Sequence, residues 1–473
     1  MRKTNRRQFL RQSVALASAG GLLPSLMNQQ ALAADTSGYK ALVCVFFFGG
    51  IDNNDVLIPR DAASYGRFAN TRANLLTAYA ASATAGSRER LDLIPVNPLN
   101  SGVFGGLEFG LPEELEPLSR LFNSGEAAIV GGVGPLIEPI TRTQFEAGTG
   151  IIPNQLFSHN DQQSTWMALG TEGSKIGWGG RFMDQISQSD PSLRDDFVGV
   201  TAAGNNVFLN GSENAVFAIS PNGPASIELL TNRNILGSSS DFDATRALLE
   251  AQWTAQAALT GNVFADDYRD LQAAGITVTE QYAEIYANRP TLSTQLNANG
   301  FEAQLRAVAE MISVRDQLNT PRQVYFVGIG GFDTHADQAG RLTGLQRTLA
   351  NGIEKFRDAM VELGAWNDVT LFTAADFGRT LNDNGDGTDH GWGGHHFVAG
   401  GSVRGQRVYG GFPDSDTQGP NYTDDRGRLI PSVSVEQYAS TLGAWFGLTP
   451  AERRAALPNL VNFSSDDLGF MQL

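Results

Sequence analysis

The hydrophobic positions of this chain fall into short unbroken runs, separated by longer stretches with three- and four-residue spacing. Leu42–Phe48 (LVCVFFF) is apolar at every position and ends at Gly49-Gly50. A run of that length without polar alternation predicts a strand buried on both faces, as in the centre of a parallel sheet. Ala127–Val133, Gln323–Gly328, Val369–Ala374 and His396–Ala399 have the same character. Between these runs, Leu115–Phe122, Thr245–Leu259, Asp266–Asn288, Gly300–Gln317 and Leu342–Leu363 carry helical spacing, and Ser434–Phe446 adds an amphipathic helix near the end. Strands alternating with helices predict a doubly wound, mostly parallel α/β sheet flanked by helices. The stretch 195–236 breaks the pattern with β-rich patches and Asn/Gly turns, and reads as a small β-rich insertion. Residues 34–473 are otherwise read as a single domain.

The N-terminus changes the picture of where the chain works. Asn5-Arg6-Arg7-Gln8-Phe9-Leu10-Arg11 precedes a weakly apolar stretch, Ser13–Met27, and then Ala31-Leu32-Ala33. Paired arginines, a modest apolar region and an A-x-A site in that order predict a cleavable twin-arginine signal over residues 1–33. A membrane anchor needs about 20 predominantly apolar residues, and this segment is too short and too rich in Gly and Ser. The expectation is therefore a periplasmic or secreted protein, handled by the twin-arginine translocase and left without a stable membrane anchor. A formal charge of −16 argues against nucleic acid as a partner. The single cysteine, Cys44, lies inside an apolar run, so no internal disulfide forms and the thiol reads as a small buried hydrophobe.

In open α/β sheets, ligands bind beyond the carboxyl ends of the strands. Five polar, Gly-rich segments lie where those ends are expected. GGIDNND (Gly49–Asp55) supplies hard oxygen donors, although Asp and Asn after a strand are also common turn formers. FSHNDQQSTW (Phe157–Trp166) holds the hydroxyls Ser158, Ser164 and Thr165, with the bland alternative of a polar loop and a helix cap. GGFDTHADQ (Gly330–Gln338) sets Asp333 and His335 two apart on an extended turn, the same-side spacing of two ligands to one metal. AADFGRT (Ala374–Thr380) ends a strand in Asp376, with Arg379 three residues on. That arginine can either pair Asp376 or clamp an oxyanion. GTDHGWGGHH (Gly387–His396) carries the Asp389-His390 pair and then His395 and His396. All five histidines of the chain fall in three of these segments, and such clustering favours a shared site for metal or acid–base chemistry.

These blocks, with the closing VEQYASTLGAWFGL, resemble the domain-of-unknown-function 1501 family, which is similar to a distant branch of the alkaline phosphatase and sulfatase superfamily. The resemblance implies an alkaline-phosphatase-like fold over most of the mature chain. It also implies that Asp52 is a metal-binding Asp at the end of the first strand, that Asp333 and His335 bind a first metal, and that Asp376 binds a second. His390 or His395 would complete the first site, and the nucleophile would come from Ser158, Ser164 or Thr165. Two departures stand out: Phe377 occupies the place where the superfamily often has a histidine, and no cysteine is available for a sulfatase-type nucleophile. The leading expectation is an exported hydrolase of phosphate or sulfate esters using a divalent ion (Zn, Mn, Fe or Ca), with a small anionic ester as its partner. The alternative is a non-catalytic binding or assembly protein that keeps the fold.

Overall fold

A computed structural model describes residues 33–193, 196–224, 237–254, 262–297 and 300–473. The segment before Ala33, where a twin-arginine signal was expected, lies outside the described residues, as do parts of 195–236 and the end of the expected helix Thr245–Leu259. No helix among the described residues is long and apolar enough to cross a membrane.

Among the described residues, nine strands form the main sheet: β1 (Lys40–Phe47), β2 (Ala127–Gly134), β3 (Gly199–Thr201), β4 (Val216–Ala218), β5 (Arg322–Ile329), β6 (Val369–Ala375), β7 (Gly394–Gly400), β8 (Val408–Gly410) and β9 (Val433–Ser434). Their order is β8-β2-β7-β6-β1-β5-β3-β4, with β9 also beside β2. β1 lies between β5 and β6, parallel to both, with Val43 opposite Tyr325 on one side and Leu371 on the other. Only β7 runs against the rest, pairing antiparallel with β2 and β6. The expected α/β sheet is thus present and mostly parallel. In the described part of the β-rich stretch, two short strands extend the main sheet beyond β5.

Period-2 side-chain alternation explains why β1 has no polar face. Ala41, Val43, Val45 and Phe47 pack into one core with Leu305, Val308, Ile353 and Phe356. These partners sit on the helices Gly300–Ile312 and Gln338–Glu362. Leu42, Cys44 and Phe46 point the other way, onto Trp178, Phe182, Tyr438 and Leu442, from the helices Trp178–Ser189 and Val435–Phe446. The second of these starts where the sequence placed it, with Ser434 and Gln437 forming a capping box. Helices cover both faces, and the polar residues are left to the carboxyl edge.

Candidate metal centre

Four loops meet at that edge. The chain leaves β1 through Gly49 (φ +111°) and Gly50 (φ +79°), left-handed conformations that an L side chain resists. A Cβ on Gly49 would lie 2.3 Å from the Asp333 nitrogen, so only glycine lets the β1 and β5 loops close together. β5 leads into Asp333 and His335, β6 leads directly into Asp376, and a hairpin of Arg379–Asp383 with Thr388–His390 brings back His390 before β7 begins. From a helix spanning His159–Ala168 comes His159, at its first position.

The side chains of two loops and this helix converge. Asp333 Oδ1 lies 3.2 Å from His335 Nε2, 3.5 Å from His390 Nε2 and 3.6 Å from His159 Nε2. His335 Nε2 and His390 Nε2 are 2.8 Å apart. Tetrahedral Zn–N bonds of about 2.0–2.1 Å imply donor separations of about 3.3 Å, close to these distances. The outer nitrogens are already committed. His390 Nδ1 lies 2.7 Å from the Phe157 carbonyl, which only accepts, so that nitrogen carries the proton and Nε2 is bare. His159 Nδ1 meets Asp376 Oδ2 at 2.6 Å, and His335 Nδ1 meets Asp389 Oδ1 at 3.2 Å. His159, Asp333 and His390 thus bring two imidazole nitrogens and a carboxylate oxygen within 4.8 Å of one another, a group that could hold a cation, and His335 Nε2 lies beside it, 2.8 Å from His390 Nε2. Carboxylate or carbonyl behind each histidine is the outer-shell pattern of metal-binding imidazoles. The donor set therefore fits a divalent ion of the Zn, Mn or Fe kind, and the nitrogen-rich set does not suit Ca.

Electrostatics follow the same geometry. The hydrogen bond to Asp376 holds His159 above the ordinary histidine range, against partial burial. Burial pulls His390 below it. Burial would raise Asp333, but Arg379 outweighs it and holds the carboxyl low. The floor of the site is apolar: the Phe377 ring lies 4.9 Å from His159 and 4.7 Å from His390. Phe157 keeps a left-handed φ of +74° while its ring lies under Arg428, 4.1 Å from the guanidinium.

Several residues expected at the site do other work. Arg379 is fully buried and spends its donors inside the protein. Nη1 bonds Gly49 O (3.0 Å) and Asp333 Oδ1 (2.8 Å), Nε bonds Thr388 Oγ1 (3.3 Å), and Nη2 bonds Thr388 O. It neither pairs Asp376 nor stands free for an oxyanion; it ties three loops together. Asp52 receives four hydrogen bonds, from Arg72 Nη1 (2.6 Å) and Nη2 (2.8 Å), Gln338 Nε2 (2.6 Å) and Asn54 N (3.2 Å). Those fill the four lone-pair directions of a carboxylate, leaving none for an ion. Asp376 and Asp389 stand behind histidines, as above. His395 is buried, accepts from Gly132 N at 3.1 Å and packs on Phe412, and burial lowers it to about 4. Ser158 Oγ donates to Asp161 Oδ2 (2.8 Å), Ser164 Oγ to Thr171 O (2.7 Å) and Thr165 Oγ1 to Asp161 O (2.7 Å), so no imidazole activates any of them. The residue that sequence reasoning left unassigned is His159, although the histidine clustering already pointed to its loop.

Fold and site together define an α/β protein with a candidate metal centre at the carboxyl edge of its sheet. The profile of the family described as "Protein of unknown function (DUF1501)" matches residues 118–451, and the chain belongs to that family. No curated protein matches it. Among solved structures it is similar to Ps i-CgsB in complex with k-i-k-neocarrahexaose (9% identity, 91% of this chain and 77% of that one, TM-score 0.36). It is also similar to the PsFucS1 sulfatase from Pseudoalteromonas sp. (8%, 80% and 66%, 0.34) and to the lipoteichoic acid synthase LtaP from Listeria monocytogenes (8%, 83% and 74%, 0.31). Scores this low transfer no activity.

Proposed function

We propose that this protein is a divalent-metal-dependent hydrolase of phosphate or sulfate esters, on an alkaline-phosphatase-like fold, that acts outside the inner membrane after export by the twin-arginine route. The observation that carries the reading is the convergence of His159, Asp333, His335 and His390. Their side chains retain exposures of 28%, 46%, 43% and 23%, which keeps the centre within reach of a substrate. A bound divalent ion supplies Lewis acidity toward an ester oxygen and lowers the pKa of bound water. The chain's own residues do the rest. Asp376, Asp389 and the Phe157 carbonyl fix which nitrogen of each histidine faces inward. Arg379 aims Asp333. With the three candidate hydroxyls donating locally, the reading assigns attack to water.

The rival reading of a binding or assembly protein turns on His335: the three donors of His159, Asp333 and His390 leave a tetrahedral ion one open position, and His335 closes it if it also binds. Elemental analysis of wild-type, His159→Ala and Asp333→Ala protein, purified after export, comes first. Assays with p-nitrophenyl phosphate and p-nitrophenyl sulfate follow. Near-stoichiometric metal and ester hydrolysis, both lost in the variants, support the hydrolase. Metal retained without turnover of either ester supports the binding protein. A folded wild type that takes up no Zn, Mn or Fe ends both readings of the centre.

A further inference from the structure

A second cleft lies at the opposite edge of the sheet, beside the amino ends of β2 and β8. Its volume is about 780 Å³, and Leu99, Arg404, Arg407, Tyr409, Leu468 and Gln472 line it. Arg404 and Arg407 are the notable members. Among the described residues neither guanidinium forms an ion pair or a hydrogen bond, in a protein whose formal charge is −16. Arg404 is exposed and Arg407 half-buried, so both guanidinium groups reach solvent from the same cleft.

The backbone that carries them is fixed. Arg404 N donates to Phe470 O (2.8 Å), and Arg407 O accepts from Ile129 N (3.2 Å). Between them, Gly405 lies so close to Gly125 that a Cβ would approach its carbonyl oxygen to 2.2 Å. Tyr409 closes the wall: its hydroxyl donates to Arg404 O at 3.2 Å, and its ring packs on Phe470. Burial raises Tyr409, and Arg407 and Arg404 act in the opposite sense. Asp467, the carboxylate that also acts on Tyr409, accepts from Gly469 N at 2.7 Å.

We infer that this cleft is an anion-binding site for a tetrahedral oxyanion, the phosphate or sulfate group of a small ester, held by the guanidinium forks of Arg404 and Arg407. A planar fork offers paired N–H donors that match two oxygens of such a group, which a lone ammonium does not. The site is separate from the metal centre and stands or falls independently of it.

The test is calorimetric titration of the full exported chain with inorganic phosphate, sulfate and acetate, using wild type, R404Q/R407Q, R404K/R407K and D333A. Saturable binding of phosphate or sulfate is expected in wild type and in D333A. R404Q/R407Q should weaken it at least about tenfold, with the lysine pair in between. A readout free of substitutions is arginine modification by phenylglyoxal, mapped by peptide mass spectrometry: phosphate or sulfate should protect Arg404 and Arg407. The inference is overturned if no titration saturates, if acetate binds as tightly as the tetrahedral anions, if R404Q/R407Q binds like wild type, if only D333A loses binding, or if neither arginine is protected.

Discussion

Asp376 gives the sharpest test of how the centre is built. Its Oδ2 accepts from His159 Nδ1 (2.6 Å), Gln163 Nε2 (3.0 Å) and Gly49 N (3.1 Å), and the residue is fully buried. Asp376→Asn leaves an oxygen able to take those bonds but removes the charge. It also places an NH₂ where Oδ1 has no hydrogen-bond partner. The bond to His159 falls from charge-assisted to neutral strength, which is roughly half. Loss of such an outer-shell carboxylate costs about 10–100-fold in metal affinity, or about 1.4–2.7 kcal/mol. Asp389→Asn removes the equivalent support from His335, but that pair is longer at 3.2 Å and both partners are more than two-fifths exposed. Solvent screening should hold its effect to a few-fold at most. Competition titrations against a chromophoric chelator, with Zn and with Mn, give both affinities on folded protein. Wild-type affinity in Asp376→Asn, or a larger loss in Asp389→Asn, would refute the assignment of Asp376 as the buried support of a metal-binding His159.

Three further outcomes follow from buried charges. Glu436 is buried, and burial raises its carboxyl from 4.5 to about 7, while the bond from Asn459 opposes that rise. The folded state therefore holds a proton that the unfolded state has lost between those values, so this group's contribution falls as pH rises through that window, by about 3 kcal/mol in full. Glu436→Gln should flatten that part of the curve, gaining relative to wild type at pH 8 over pH 5 in urea melts; parallel curves would contradict it. Arg72→Ala strands the buried carboxylate of Asp52 and should cost about 3–5 kcal/mol by denaturant titration. Asp52→Asn should leave metal content unchanged, and loss of metal there would restore Asp52 as a ligand.

Much of this architecture is legible in the chain because its signals are local. Seven consecutive apolar residues at Leu42–Phe48 admit few readings besides a strand covered on both faces, and Ser434 with Gln437 marks a helix start at that spacing alone. The site was legible as a set of loops, because five histidines in three segments is a count that needs no coordinates. Individual roles were not legible, because each depends on a partner distant in sequence. Asp52 looks like a ligand until Arg72 arrives from the end of the helix Ala62–Thr71 to take both its oxygens. Arg379 looks like an oxyanion clamp until Thr388, Gly49 and Asp333 take up four of its five donors. His395 and His390 are equivalent as letters, yet one lies inside β7 and the other before it.

The single reversed strand has a consequence for how readily such a centre can be altered. Had β7 run with its neighbours, the chain would have needed a crossover of a dozen or more residues to return from β6, and His390 would have been spent on a distant face. Because the direction flips, the link from Asp376 to Gly394 remains at one rim, where it folds into the hairpin of Arg379–Asp383 with Thr388–His390. That link is a cassette: its ends are anchored in the two strands, and its interior supplies one inward imidazole and one outer carboxylate. Lengthening or rewriting the tip around Asn384 and Gly385 changes what approaches the centre while the sheet keeps its register. Diversity among proteins built on this plan should concentrate there, in a segment that can vary without refolding anything beneath it.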